Sequence, residues 1–217
     1  MQIRAIKIGV RPSLLALKQA QEARPILEKI YPGATFEVCK IDTPGDRDKE
    51  TPLSEVDGSD FFTRDIDEAL LAGKVDVAVH SSKDLPEILP QGLKILFETE
   101  SISRFDVLVS KGAHKFTELA LSSRIGASSL RRKKKVKGLR PDLEIVDARG
   151  TIEERLSLVD SGKIDALIVA HSALIRLELE HRVSEIFPLD IFNTHPKQGC
   201  LSIVAREGGY SEDKNQR

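Results

Sequence analysis

The spacing of apolar residues switches repeatedly along the chain between a period of about two and a period of about 3.6. The shorter period is typical of a strand that buries one face, and the longer period is typical of a helix with one apolar stripe. In the first half of the chain this pattern predicts strands at 3–10, 36–41, 75–79 and 93–97, helices at 14–30 and 63–72, and a long, mobile loop at 43–58.

The first predicted helix has a clear start signal and an internal proline. Ser13 precedes the apolar stripe and can accept a hydrogen bond from the free backbone N–H groups of the first turn. Pro25 has no amide hydrogen and its ring crowds the preceding turn. We therefore expect Pro25 to kink or split the helix.

The second half of the chain repeats the alternation of strands and helices. Strands are predicted from 107, near 143–146 and at 164–170, and Thr151 with Glu154 forms a capping box that opens a helix. Gly-Lys-Ile-Asp at 162–165 precedes a buried strand, as Gly-Lys-Val-Asp does at 73–76. The predicted fold is therefore α/β, with two lobes that each hold a mixed, mostly parallel sheet with helices on both faces, and with a ligand cleft between the lobes.

Composition narrows the class of protein. The 217 residues carry a formal net charge of -1, which argues against a general nucleic-acid binder because such proteins present a basic face. Cys39 and Cys200 form no C-x-x-C pair, so neither a disulfide framework nor a cysteine zinc site is expected. The N-terminus has no apolar signal core, and no apolar run reaches the roughly 20 residues of a membrane span. We therefore expect a cytoplasmic protein that does not bind membranes.

A short strand followed by two serines and two arginines carries the strongest chemical signal. Ser128 and Ser129 open a predicted helix, whose free N–H groups and dipole favour an anion. Arg131 and Arg132 add forked donors that match a carboxylate or a phosphate. This segment alone is equally compatible with a capped surface helix that has a solvated basic face.

Further polar residues follow the ends of predicted strands or begin predicted helices. In an α/β sheet this edge is where ligands bind. A cluster of cations that contains the single acid Asp84 indicates a cleft for a polycarboxylate. The residues are Arg11, Ser13, Lys83, Asp84, Ser128, Ser129, Arg131, Arg132, Arg149 and Arg155.

Eight segments in this order resemble the porphobilinogen deaminase (hydroxymethylbilane synthase) family, and together they extend over nearly the whole chain. They are Arg-Pro-Ser-Leu-Leu-Ala-Leu-Lys-Gln-Ala at 11–20, Thr-Pro-Gly-Asp at 43–46, Asp-Val-Ala-Val-His-Ser-Ser-Lys-Asp-Leu-Pro at 76–86, Ile-Gly-Ala-Ser-Ser-Leu-Arg-Arg at 125–132, Arg-Pro-Asp-Leu at 140–143, Arg-Gly-Thr-Ile-Glu-Glu-Arg at 149–155, Asp-Ala-Leu-Ile-Val-Ala at 165–170 and Pro-Lys-Gln-Gly at 196–199.

The resemblance implies a fold and an activity. In this family two lobes like type II periplasmic binding proteins precede a smaller third domain, so lobe one is expected at 1–99 plus 194–217, lobe two at 100–193, and the third domain is missing here. The implied enzyme is a deaminating transferase of tetrapyrrole (haem) biosynthesis, which condenses porphobilinogen into a linear tetrapyrrole on a covalently held dipyrromethane cofactor. The implied ligands are porphobilinogen and oligopyrrole carboxylates, and the implied state is a monomer.

The resemblance also implies the site. Asp84 matches the catalytic aspartate, whose fixed carboxylate stabilises the cationic azafulvene-like species left when ammonia departs. His80 and His171 lack metal-ligand spacing and are expected to be structural, and no metal site is expected. The positions that match substrate-binding or cofactor-binding residues are Arg11, Ser13, Ser81, Lys83, Ser128, Ser129, Arg131, Arg132, Arg149, Gly150, Arg155, Arg176 and Gln198.

Three departures from the family pattern bear on activity. The family's cofactor-bearing cysteine belongs to the third domain, and neither Cys39 nor Cys200 matches its motif, so no attachment residue is identified in this chain. Glu55 and Ser59 stand where the family usually has lysines, and Ala127 stands where it usually has threonine. The alternative is therefore a non-catalytic pyrrole or polycarboxylate binding protein with the same two-lobed fold.

Overall fold

The chain folds into two compact units. The computed structural model describes residues 5–48, 51 and 59–208. Unit 1 comprises the described residues 5–47, 59–100 and 200–208, and unit 2 comprises 48, 51 and 101–199.

The observed division differs from the predicted lobes near the second crossing of the chain. The predicted boundary lies between 193 and 194, whereas residues up to 199 belong to unit 2. Thr194 Oγ1 donates to the Arg104 carbonyl at 2.7 Å, and Gln198 Nε2 donates to the same carbonyl at 3.0 Å. These hydrogen bonds tie 194–199 to the segment that enters unit 2.

The described residues form ten strands and six α-helices, and none of these helices is long and apolar enough to cross a bilayer. In chain order the elements are β1 (Ala5–Val10), α1 (Leu14–Ile30), β2 (Thr35–Lys40), α2 (Pro44–Arg47), α3 (Arg64–Leu71), β3 (Val77–Ser81), β4 (Leu93–Glu98), β5 (Asp106–Ser110), β6 (Arg124–Gly126), α4 (Leu130–Leu139), β7 (Glu144–Val146), α5 (Ile152–Asp160), β8 (Ala166–Ala170), α6 (His171–Arg176), β9 (Glu185–Ile186) and β10 (Leu201–Arg206).

Two local expectations in unit 1 need correction. The first helix is confirmed over 14–30, but it is not split, because Pro25 lies inside a continuous α1. Packing of its stripe, including Ala20, Ala23 and Leu27, into the core offsets the hydrogen bond that proline removes. Within the segment predicted to be a long loop, α2 forms a short helix, and residues 49–50 and 52–58 lie outside the described residues.

Unit 1 is built on a five-stranded sheet with the order β2-β1-β3-β10-β4. β1 pairs in parallel with β2 and β3, whereas β10 pairs antiparallel with β3 and β4. Successive side chains of a strand point to opposite faces. Val77 and Val79 therefore pack in the cluster that includes α1, whereas Ala78 packs in the cluster that includes α3.

Unit 2 follows the same plan, with the strand order β7-β6-β8-β5-β9. β6 pairs in parallel with β7 and β8, and β5 pairs antiparallel with β8 and β9. Ile168 packs in the cluster that contains Val136 of α4. Val169 packs on the other face with Leu156 of α5 and Leu174 of α6. Helices thus cover both faces of each sheet, as expected.

The predicted excess of parallel pairings is not observed. Among the described residues, each sheet contains two parallel and two antiparallel strand pairs. The reason is that one strand in each sheet runs antiparallel to both of its neighbours. β10 inserts between β3 and β4, and β5 inserts between β8 and β9. The sheets are mixed, as predicted, but evenly so.

The repeated Gly-Lys-apolar-Asp segments form the same structure in both units. Gly73 and Gly162 follow α3 and α5 with φ of +69° and +70°, the left-handed conformation that glycine tolerates. The Asp76 carboxylate accepts the Lys7 amide at 2.9 Å in unit 1. The Asp165 carboxylate accepts the Arg124 amide at 2.7 Å in unit 2. The turns thereby fix β3 against β1 in unit 1 and β8 against β6 in unit 2.

One carboxylate is buried on the core side of α3. Asp67 is 3% exposed, and neither carboxylate oxygen has a hydrogen-bond partner among the described residues. Burial raises the pKa of Asp67 to about 6, opposed by the nearby Thr63 hydroxyl and reinforced by the charge of Asp60. The folded state therefore binds this proton more tightly than the unfolded chain, and stability falls as the pH rises from 3.8 to about 6.

Replacing Asp67 with Asn is expected to stabilise the protein above pH 6. The pKa shift corresponds to roughly 3 kcal/mol, and the new buried amide donors cancel part of that gain, so we expect about 1–2 kcal/mol. Urea unfolding of the parent and of Asp67→Asn at pH 4.5 and 7.5 measures the effect, which should be larger at pH 7.5. The control is Glu68→Gln at the exposed neighbouring position. An equal stabilisation by Asp67→Asn at both pH values would contradict the raised pKa.

Candidate functional site

Polar residues of unit 1 gather where two parallel strands end. β1 and β3 are neighbours in the sheet and run in the same direction. Their carboxyl ends therefore lie at one edge, which is the usual ligand-binding edge of an α/β sheet. Arg11 and Ser13 follow β1, Ser81 ends β3, and Lys83 and Asp84 lie in the 3-10 turn Ser82–Asp84 that comes next.

A pocket of unit 1 joins the expected catalytic acid to three of these residues. Asp84 lines the pocket together with Arg11, Ser13 and Ser81. Lys83 shares the turn with Asp84 but is not among the lining residues. Neutral side chains complete the wall, namely Leu15, Ala16, Gln19, Phe62, Val79 and His80.

Arg11 is held by an acid and by an aromatic ring. Its Nε lies 3.1 Å from both carboxylate oxygens of Asp46, its Nη2 lies 2.5 Å from Oδ1, and its guanidinium carbon lies 4.3 Å from the centroid of the Phe62 ring. Burial alone would raise the pKa of Asp46, but the hydrogen bonds and charge of Arg11 and the hydrogen bonds from Thr43 outweigh it and lower that pKa. The Asp46 carboxyl group is therefore ionised at neutral pH.

Two further residues of the pocket were not predicted as ligand candidates. His80 is 5% exposed, and its Nε2 has no hydrogen-bond partner among the described residues. Burial, with a smaller effect of the Arg11 charge, lowers the pKa of His80 to about 4, so the imidazole is neutral at pH 7. Gln19 Nε2 donates to Ser81 Oγ at 2.8 Å. The signal for Gln19 is its place on the buried stripe of α1, where a polar residue is unusual.

In unit 2 a corresponding turn follows β6. Ser129 caps α4, as predicted, because its Oγ accepts the backbone amide of Arg132 at 3.3 Å. Ser128 is 2% exposed, and its Oγ donates to the Ala148 carbonyl at 2.5 Å. The hydroxyl proton of Ser128 is therefore used within unit 2.

The two adjacent arginines of α4 have different surroundings. Arg131 is half-buried and makes no hydrogen bond or ion pair with a residue that the structure describes. Arg132 is 8% exposed. Its Nε and Nη2 donate to the two carboxylate oxygens of Asp106 at 2.9 and 2.6 Å. An external anion can therefore reach Arg131 more readily than Arg132.

A second polar turn follows β7. Gly150 has a φ of +95°, and a Cβ there would lie 2.2 Å from Glu154 Oε2, so glycine is needed where the α5 cap closes. Arg155 Nε donates to the Gly150 carbonyl at 2.8 Å, and Arg149 Nη2 donates to the Asp48 carbonyl at 2.5 Å. The predicted capping box at the start of α5 is confirmed.

Arg176 and Gln198 are buried in unit 2, with exposures of 8% and 2%. Arg176 Nη2 donates to the Gly199 carbonyl at 2.9 Å. Gln198 Nε2 donates at 3.0 Å to Asp106 Oδ1, which also binds Arg132. These contacts give both residues a structural contribution, and their role in ligand binding stays a prediction.

The departures from the family pattern are placed as follows. Ala127 is fully buried, and Ser59 Oγ accepts the Phe61 amide at 3.3 Å, whereas Glu55 lies outside the described residues. Cys39 and Cys200 are half-buried and form no disulfide with each other, and burial, more than the charge of Glu37, raises the pKa of Cys39. Within the described ranges, no group of three or more His, Cys, Asp or Glu could hold a metal ion.

The chain matches one protein family over almost its whole length. A family model described as "Porphobilinogen deaminase, dipyromethane cofactor binding domain" matches residues 6–214. This chain belongs to the porphobilinogen deaminase family. The porphobilinogen deaminase of Geobacter metallireducens is 40% identical over 206 residues, which are 95% of this chain and 64% of that protein. That of Syntrophobacter fumaroxidans is 39% identical over 206 residues, 95% of this chain and 67% of that protein. The chain thus spans about two thirds of the length of these porphobilinogen deaminases.

Solved structures outside the porphobilinogen deaminase family share the fold at low sequence identity. The methionine binding protein MetQ aligns with a TM-score of 0.59 and 14% identity, over 97% of this chain and 86% of that one. The effector binding domain of BenM aligns with a TM-score of 0.52 and 14% identity, over 95% of this chain and 85% of that one. The predicted α/β fold, with two lobes like those of periplasmic binding proteins, is confirmed, apart from the predicted excess of parallel strand pairs.

The predicted cofactor is confirmed at the level of the porphobilinogen deaminase family, because the matching model is that of a domain that binds dipyrromethane. A group that bears several carboxylates needs cationic forks and hydroxyl donors around it. The strand ends supply both, with Arg11 and Ser13 in unit 1 and Ser129 and Arg131 in unit 2. Taken unit by unit, the residues present therefore fit the chemistry of the group.

Proposed function

We propose that this chain carries the catalytic part of a porphobilinogen deaminase, a deaminating transferase that condenses porphobilinogen into a linear tetrapyrrole in haem biosynthesis. One observation supports the proposal beyond family membership. The pocket of unit 1 places Asp84 beside Arg11, Ser13 and Ser81. Porphobilinogen offers two carboxylates, a pyrrole N–H and an aminomethyl group, and this pocket contains a cation and two hydroxyls that suit a carboxylate and one acid that suits an N–H group.

Asp84 is proposed as the catalytic residue, and among the described residues that line the pocket it is the only acid. When ammonia leaves the aminomethyl carbon, positive charge spreads over the pyrrole ring of the substrate. A fixed carboxylate nearby stabilises this charge, and it can also accept the proton that the pyrrole releases. Apolar wall residues such as Leu15 and Phe62 exclude water and strengthen the electrostatic effect.

Carboxylate binding is assigned to the cationic and hydroxyl residues at the strand ends. Each added pyrrole brings two carboxylates, and each one that leaves water needs a charged or hydrogen-bonding partner. Within each unit, the accessible members of the set are proposed to contact the ligand, and the buried members are proposed to support them from below. The proposed set is Arg11, Ser13, Ser81, Lys83, Ser128, Ser129, Arg131, Arg132, Arg149, Gly150, Arg155, Arg176 and Gln198.

When bound, a dipyrromethane would supply a pyrrole carbon as the acceptor for the first substrate unit. We propose that Ser129 and Arg131 of unit 2 would hold its carboxylates, because they combine a cap hydroxyl with a guanidinium that is accessible to an anion. In this role these residues orient the group and neutralise its charge.

The proposed partners are small molecules. With a formal net charge of -1 the chain has no excess of cations for the backbone of a nucleic acid, so porphobilinogen and oligopyrrole carboxylates are the ligands that we propose. We further propose that it works as a monomer in the cytoplasm, where the charged pyrrole ligands would be made and used.

The experiment that tests the function is a porphobilinogen consumption assay on the purified chain, with and without preformed hydroxymethylbilane as the source of primer. Consumption with multiple turnovers is the expected result. A folded chain that binds porphobilinogen without consuming it would instead support the non-catalytic binding protein. A folded chain that neither binds nor consumes porphobilinogen would refute both functions.

Arg131→Ala is expected to weaken the binding of pyrrole carboxylates by about tenfold. Loss of a charge-assisted hydrogen bond from an accessible arginine removes roughly 1–2 kcal/mol of binding free energy. Titration calorimetry with porphobilinogen measures the change. Lys134→Ala is the matched control, because it removes one positive charge from an exposed position of the same helix. Equal losses in the two variants would mean that only the net charge of α4 matters.

A further inference from the structure

Asp46 is held in one orientation by its own helix start. It is the third residue of α2, and its Oδ2 accepts both the Thr43 backbone amide at 3.0 Å and the Thr43 hydroxyl at 2.8 Å. Thr43 is fully buried, which anchors this arrangement in the core of unit 1. The carboxylate of Asp46 is therefore fixed by the fold.

The turn that carries Asp46 is packed closely against an aromatic ring. The Gly45 amide donates to the Phe61 carbonyl at 2.9 Å, and a Cβ at position 45 would lie 2.1 Å from Phe62 Cε1. Only glycine permits this approach. Because the Phe62 ring also supports one face of the Arg11 guanidinium, the ring and the carboxylate together confine Arg11.

This confinement leaves one edge of the Arg11 guanidinium for a ligand. Nε and Nη2 donate to Asp46. Nη1 makes no hydrogen bond to any residue in the described part of the chain. Arg11 also lines the pocket that contains Asp84. The donors that remain for a molecule in this pocket are therefore the two N–H groups of Nη1 and the second N–H group of Nη2.

We propose that Asp46 is a positioning residue that holds Arg11 so that Nη1 donates to one carboxylate of a pyrrole in the pocket. The proposal rests on the proposed function, because it takes porphobilinogen as the ligand. Fixing the long side chain of Arg11 in advance removes much of the rotamer entropy that binding would otherwise cost.

Asp46 also changes the kind of recognition that Arg11 provides. The negative charge of Asp46 offsets most of the positive charge of Arg11, so the pair attracts a distant anion only weakly. What remains is a directional donor at short range. A ligand carboxylate is then selected by where it lies, which sets the distance of the pyrrole from Asp84.

Asp46→Asn tests this role by calorimetric titration of the full chain with porphobilinogen. We expect the dissociation constant to rise about tenfold, Arg11→Ala to raise it by a similar factor, and the double variant to lose no more than either single variant. The matched control is Asp42→Asn, which removes the same charge from an exposed position and should bind as the parent does. Tighter binding by Asp46→Asn would show that Asp46 competes with the ligand, and additive losses would show that it acts elsewhere. Either result overturns the proposal.

A second measurement keeps the proposal testable if Asp46→Asn does not fold. Arg11→Lys retains the positive charge but loses the fork, so carboxyl NMR should show a higher pKa for Asp46, and porphobilinogen binding should weaken by about tenfold. An unchanged pKa of Asp46 in Arg11→Lys would overturn the pairing. A parent chain that binds no porphobilinogen would refute the proposed function and the ligand role of Nη1. The carboxyl titration would still report whether Arg11 and Asp46 pair, so the two failures can be distinguished.

Discussion

Asp84→Ala should reduce porphobilinogen consumption by about a thousandfold or more while the protein stays folded. Asp84 lies in the short turn after β3 and lines the pocket, and it is not part of a buried ion pair such as that of Arg132 and Asp106. Its removal should therefore lower the free energy of unfolding only slightly. Its proposed contribution is to stabilise positive charge that develops only during the reaction, and such groups are typically worth 10² to 10⁴ in rate. The loss should therefore appear in kcat, with little change in KM.

The measurement is the rate of porphobilinogen loss by the parent and by Asp84→Ala, with unfolding by urea as the test of folding. Asp84→Asn keeps the shape of the side chain and should be nearly as impaired, because the charge is what matters. Glu87→Gln removes a charge from an exposed position three residues later and should retain the parent rate. Consumption by Asp84→Ala near the parent rate would remove Asp84 from the mechanism.

Arg132→Met should lower the free energy of unfolding by about 3–5 kcal/mol. The side chains of Arg132 and Asp106 are 10% and 3% exposed, and breaking such a pair leaves a buried carboxylate without its cation. Met fills most of the space, so the loss should reflect charge more than packing. The neighbouring Arg131→Met should change the stability by less than about 1 kcal/mol, since Arg131 makes no ion pair with a described residue.

The second step of this experiment removes the stranded charge. Arg132→Met combined with Asp106→Asn should recover most of the stability, because no unpaired carboxylate remains and Gln198 can still donate to the amide oxygen. Urea unfolding of the parent, Arg132→Met, Asp106→Asn and the double variant gives the coupling energy between the two residues. A loss below about 1 kcal/mol in Arg132→Met would show that Arg132 serves the ligand rather than the fold.

Local signals in the sequence predicted the starts of helices and strands well. Ser13 and Ser129 cap their helices, and Thr151 forms its capping box, because each interaction joins residues only three positions apart. The two Gly-Lys-apolar-Asp turns were recognised as similar for the same reason. The apolar runs predicted where the buried strands end. Because Arg11 and Asp84 come just after two of these strands, their place at one edge of the sheet could also be predicted.

The pattern of apolar and polar residues could not predict ion pairs or strand pairs between residues that are far apart in the sequence. Arg11 and Asp46 are 35 residues apart, and Arg132 and Asp106 are 26 apart, so nothing in the local sequence indicates that they meet. The pattern consequently presented Arg131 and Arg132 as equivalent, although only Arg132 is paired in the core. The antiparallel entry of β10 was missed in the same way, since strand direction depends on the path of the chain between strands.

Because the chain returns to unit 1 after unit 2, it determines which of the two sheets can form first during synthesis. β10 lies between β3 and β4, and Ser202 on β10 bonds Ser82, 120 residues earlier. All strands of unit 2 found in the described chain lie between Asp106 and Ile186, so that sheet can form while the ribosome is still adding the residues that follow. Until β10 emerges, β3 and β4 keep unpaired edges that can pair with other chains. The sheet of unit 1, which carries Asp84, is therefore completed after the sheet of unit 2. A chaperone that covers β3 and β4 during synthesis would prevent their edges from pairing with other chains until β10 can bind.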